Sequence, residues 1–146
     1  MIQADALGSD AAATLAALAD LEERLPAQIE REAAWLLEQG EEILLLADVP
    51  PAAARLGERI GQAPVWLASF GWEAIYGAMG PAFRPWADQA LQLYRRGRLL
   101  LHCPLAMPMA WGLPERRIGL TCSQPRLDTA ELARQLQLPA AREQCV

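Results

Sequence analysis

One histidine, three cysteines and eighteen carboxylates are what this 146-residue chain offers for acid–base, nucleophilic or metal chemistry. His102 and Cys103 are adjacent, and Cys122 would approach them if the segments carrying them paired as a hairpin. A metal site needs three or four ligands converging from several positions, which two neighbours and one distant thiol do not supply. A nucleophilic thiolate needs a base in space and a lowered pKa, and the sequence indicates neither. Cys103-Pro104 is the bare dipeptide of haem-sensing motifs, without a second axial ligand. No Gly-rich phosphate loop and no ExxH carboxylate pattern is present. The carboxylates Glu22, Glu23, Glu30, Glu32, Glu38, Glu41 and Glu42 fall on helical faces and read as solvated. No catalytic residue, metal or cofactor is expected, and a cysteine-dependent enzyme is the least favoured class.

Two other groups point to binding. The segment Pro104–Glu115 carries Leu105, Met107, Met109, Trp111 and Leu113 between three prolines. It is long for a loop, and long loops are often functional. Methionine repacks easily and tryptophan is enriched at contact hot spots, so these five residues form the candidate partner-binding surface. The alternative is a lid folded over the core. The second group is Trp66, Phe70, Trp72, Tyr76 and Trp86, joined by Phe83. Helical spacing makes them core, or the lining of a pocket for a hydrophobic small molecule.

The elements that position these groups follow from periodicity and punctuation. Asp10 caps a helix whose stripe is Ala11, Thr14, Leu18, Leu21 and Leu25. Pro26 resets the register and starts a second helix, giving an N-terminal helical hairpin or one helix kinked there. Gly40 is a plausible stop, and residues 42–49 read equally as strand or helix. Ala52–Ile60 is a short helix ended by Gly61, and Pro64–Met79 is a longer aromatic one. Pro85 and Trp86 open a helix ending before Gly97. Arg98–Cys103 and Arg116–Ser123 look like two strands of a small antiparallel β-hairpin. Asp128 opens a last short helix, with Glu131 in capping-box position. The expected fold is α+β, helix-rich, in a single domain over residues 1–146.

Composition bounds the function. The net charge of −5 is unevenly spread: the first fifty residues carry eleven carboxylates and two arginines, the rest seven and eleven. A pI near 4.9 argues against generic nucleic-acid binding, although Arg95, Arg96, Arg98, Arg116 and Arg117 form a local basic group. No apolar stretch is long enough to span a bilayer, and no secretory signal is visible. An odd number of cysteines suits a reducing cytoplasm. The absence of lysine and asparagine suits a GC-rich bacterial genome. The expectation is a small acidic bacterial protein-binding module: an adaptor, an assembly or secretion chaperone, or a regulatory subunit. It would act on another protein or self-associate through its N-terminal helices. The alternative is a binder of a hydrophobic small molecule.

Overall fold

The computed structural model describes residues 1–3, 8–40, 42–119 and 129–137. The chain opens with one helix, α1 (Ala11–Glu38), capped by Asp10, whose side chain accepts from the Ala13 N–H at 2.8 Å. Pro26 lies inside this helix, so the expected helical hairpin is corrected to a single 28-residue rod. The reason is phase. Thr14, Leu18, Glu22, Leu25, Ile29, Ala33 and Leu36, at spacings of three or four, are all buried or half-buried. The stripe therefore passes Pro26 without a shift, and no turn residue flanks the proline. The helix stops at Gly40, which takes φ +67.

Beyond it the chain alternates strand and helix: β1 (Leu46–Asp48), α2 (Ala52–Ile60), β2 (Val65–Ala68), α3 (Trp72–Ala78), a 3-10 turn (Pro81–Phe83), α4 (Arg84–Tyr94), β3 (Leu99–His102), β4 (Glu115–Arg117) and α5 (Thr129–Gln135). Residues 42–49, undecided from sequence, thus contain a strand. The helix expected over Pro64–Met79 is divided: Val65-Trp66-Leu67-Ala68 is a four-residue apolar run bounded by Pro64 and Gly71, and it forms a strand. Helix α2 has the bounds expected of it and ends on Gly61 at φ +72.

All four strands pair in parallel, in the order β1-β2-β3-β4. This overturns the antiparallel C-terminal hairpin and makes the fold α/β. The connection between β3 and β4 is twelve residues, 103–114, far more than a hairpin turn needs. It is the length that a parallel crossover requires. The second strand expected there ends at Arg117, and Cys122 and Asp128 lie outside the described residues.

Sequential strand order with right-handed crossovers stacks every connection on one face of the sheet. The core agrees. Ala47, Trp66, Ala68 and Leu100 project from the strands into one cluster with Ala53 and Ala54 of α2 and Ala90, Leu93 and Tyr94 of α4. Met109 and Trp111 complete it from the irregular crossover. Trp66 is fully buried; its indole N–H donates to the Tyr94 carbonyl at 2.8 Å, and Gly97 leaves the room it needs.

Candidate functional site

Open α/β sheets bind ligands outside the carboxyl ends of their strands. Here the chain leaving β1 is Val49-Pro50-Pro51, and the chain leaving β2 leads into α3. Val49 is buried and takes φ +56, a conformation that a β-branched residue adopts only under constraint. The constraint is visible. The Tyr94 hydroxyl donates to the Val49 carbonyl at 2.8 Å and accepts the Trp72 backbone N–H at 3.2 Å. Burial raises the Tyr94 pKa well above that of a free phenol, so the hydroxyl stays protonated and keeps donating.

A cleft of about 480 Å³ opens beside these loops, between α1, α2, α3 and α4. Its wall is mostly apolar: Leu18, Leu21 and Leu25 from α1, Pro50 and Pro51 after β1, and Trp72, Tyr76 and Trp86. Trp72 and Tyr76 are stacked at 5.4 Å, one helical turn apart on α3. Burial also raises the Tyr76 phenol above its ordinary pKa. Thr14 and Gln28 also line the cleft, and a charged cluster interrupts the wall. Glu22 of α1 pairs with Arg55 of α2 at 2.5 Å and accepts from Gln89 of α4 at 3.2 Å, so three helices meet on one carboxylate. A mostly apolar cleft of this size with a few convergent polar groups has the anatomy of a small-molecule site.

The aromatic residues singled out from sequence divide around this cleft. Trp72, Tyr76 and Trp86 line it. Trp66 is inside the core, and Phe70 packs against the core and edge-on to Trp72 at 5.5 Å. The five loop residues divide too. Trp111 is buried and stacks on Tyr94 at 4.0 Å, and Met109 is buried beside it. Leu113 is half-buried against the core. Leu105 is wholly exposed and Met107 nearly half exposed, so of the five only these two face solvent. The Trp111 indole donates to Glu73 at 2.6 Å, which fastens the segment to α3; the other Glu73 oxygen is buried without a hydrogen bond.

A smaller, more polar hollow of about 350 Å³ lies at the C-terminal ends of β3 and β4. His102, Cys103, Glu115 and Arg117 line it, and the His102 Nε2 is 3.0 Å from a Glu115 oxygen. Among the described residues no group of three or more His, Cys, Asp or Glu could hold a metal ion, and no helix is long and apolar enough to cross a membrane. Of the local arginine group, Arg96 is paired with Glu58 at 2.6 Å.

Glu22, Arg55 and Gln89 were missed from sequence. The available signal was position: Glu22 is four residues from Leu18 and three from Leu25, on the apolar stripe of α1 and not on its charged face. Arg55 and Gln89 carry no comparable signal. The chain gives no significant match to any protein-family model, to any curated protein or to any solved structure.

Proposed function

We propose that the protein is a binding module that takes a hydrophobic small molecule into the cleft between α1, α2, α3 and α4. The observation that carries this reading is the apolar lining of Trp72, Tyr76 and Trp86 with Leu18, Leu21 and Leu25, joined by the Glu22–Arg55–Gln89 cluster as its charged feature. The apolar wall would supply most of the affinity by releasing water. The polar cluster would orient a hydroxyl or amide on the guest. The strained Val49 supports the same location, since strained backbone gathers at functional sites.

Dodecanol, an uncharged chain with one hydroxyl, is a suitable probe. Titration followed by tryptophan fluorescence and by native mass spectrometry should give saturable one-to-one binding. Trp86→Ala removes one aromatic wall and should weaken that binding about tenfold, the equivalent of ~1.4 kcal/mol. The absence of saturable binding to the wild-type chain sinks the reading.

A second reading is contact with another protein, as an adaptor, a chaperone or a regulatory subunit. It is favoured by Leu105, which is fully exposed while holding φ +59, and by Met107 two residues on. A leucine in that conformation costs backbone energy and buries nothing within its own chain. Affinity capture with Leu105→Ser and Met107→Ser tests it. A partner retained equally by both variants removes the tip from the contact. The odd cysteine count supports a reducing, cytoplasmic setting for either reading.

A further inference from the structure

Side chains alternate along a strand, so the residues between those of the core project from the other face of the sheet. The register sets them in two rows. Leu46, Val65 and Leu99 are aligned across β1, β2 and β3, and Asp48, Leu67, Leu101 and Arg116 across all four strands. None of these seven belongs to the core cluster. Leu46 is 55% exposed, Asp48 and Arg116 are exposed, Leu67, Leu99 and Leu101 are half-buried, and only Val65 is buried. Purely parallel sheets are ordinarily covered on both faces. This one presents an apolar centre with an acid at one edge strand and a base at the other.

We propose that a second copy of the chain covers this face, through a two-fold axis that runs along the strands between β2 and β3. The charge pattern selects this axis. Rotation about it lays the second row of one copy over the same row of its partner, reversed from edge to edge. Asp48 then stands over the partner's Arg116, Leu67 over the partner's Leu101, and Val65 over the partner's Leu99. Both ion pairs form at once, because a two-fold contact is self-complementary. Packed sheets lie about 10 Å apart, a gap that an aspartate and an arginine reaching towards each other span. A two-fold axis in the same plane but across the strands would set Asp48 over the partner's Asp48, and Arg116 over its Arg116. The face spans only about 14 Å across four strands, so the contact is small and association is weak.

Charge reversal tests the axis as well as the contact. Sedimentation equilibrium of the wild-type chain from about 5 to about 300 µM should show a reversible monomer–dimer equilibrium. Asp48→Arg alone places two arginines at each edge of the dimer, and Arg116→Asp alone places two acids there. Each should raise the dissociation constant about tenfold or more, since like charges facing each other oppose association. An equimolar mixture of the two variants should dimerise again, because each reversed charge then meets its complement. Both positions are exposed, and recovery in the mixture itself shows that the variants are folded. A wild-type chain that stays monomeric throughout overturns the proposal, with another segment of the chain or another partner left to cover the face. A dimer indifferent to both reversals also overturns it and moves the contact elsewhere, to the exposed Trp35 and Leu37 of α1 for instance. Single variants that fail to associate and are not rescued by mixing overturn the axis.

Discussion

The two faces of the sheet are built from the same three-residue and four-residue strands, yet they obey opposite rules. The inner face buries alanines: Ala47 and Ala68 are almost inaccessible, packed around one tryptophan and one leucine. The outer face displays leucines, and Leu46 keeps more than half its surface in water. Hydrophobicity alone would have assigned the burial the other way. What decides it is volume. Ala53 and Ala54 of α2 join the inner face in one cluster, where one large side chain, Trp66, is packed among small ones. On the outer face no such constraint has selected for size.

The comparison is sharpest on adjacent residues. Trp66→Ala should cost about 3–5 kcal/mol, because it empties a fully buried site and frees the Tyr94 carbonyl. Leu67→Ala, one residue along, should cost only about 1 kcal/mol in the monomer, since the side chain is already half-exposed. Urea unfolding at low protein concentration measures both. Equal costs would mean that the outer face is as firmly packed as the inner one.

Next in size is Gly97→Ala. A methyl group there would collide with the Trp66 indole, which is pinned by its hydrogen bond, and would lie 3.1 Å from the Pro64 carbonyl. Overpacking of this kind costs about 1–3 kcal/mol. Near-ultraviolet circular dichroism should show the indole environment disturbed together with the loss of stability. A stable variant with an unchanged spectrum would show that the indole has room to move.

Tyr94→Phe separates the inner face's packing from its polar support. The ring would still stack on Trp111, but the Val49 carbonyl and the Trp72 N–H would lose a partner, at a cost of about 1–2 kcal/mol. The wild-type chain also carries a pH signature here. Its folded state holds the phenolic proton above the pKa of an unfolded tyrosine, near 10. Above that pH the unfolded chain binds fewer protons than the folded one, so stability falls as pH rises, by up to about 1.4 kcal/mol per pH unit. The full contribution is present below pH ~10 and is lost above it. Tyr76 adds to the fall with the same sign. Denaturant midpoints from pH 9 to 11 should drop less steeply in Tyr94→Phe, and parallel slopes would remove Tyr94 as the cause.

Helix punctuation was legible in the sequence because it is local. Asp10, Gly40 and Gly61 act through their own backbone and neighbouring N–H groups, and they stop or start the helices where their chemistry says. The stripe of α1 is legible too, and its unbroken phase from Leu25 to Ile29 outweighs the proline between them. Strand direction is not local. Leu99–His102 and Glu115–Arg117 carry the same short pattern whether they pair parallel or antiparallel. The twelve residues between them held the answer, through the length of the connection and not its composition. The cleft was half legible: Trp72, Tyr76 and Trp86 were named from their spacing. The Glu22–Arg55–Gln89 cluster joins three helices far apart in the chain, and no single-segment pattern reveals it.

The smallest expected effect has the opposite sign. Within the crossover between β3 and β4, Trp111 behaves like an inner-face residue and Leu105 like an outer one, six positions apart. Leu105 buries nothing and sits at φ +59, where a Cβ is unfavourable and glycine is at ease. Leu105→Gly should therefore leave stability unchanged or raise it by up to about 1 kcal/mol, the relief of strain being partly offset by a more flexible unfolded chain. Thermal unfolding of the two chains side by side measures the difference. A clear loss of stability would show that Leu105 holds the crossover in place and has no surplus to offer a partner. A neutral or stabilising result leaves the leucine without a role in its own fold, and favours the tip of the crossover as the contact for a protein partner.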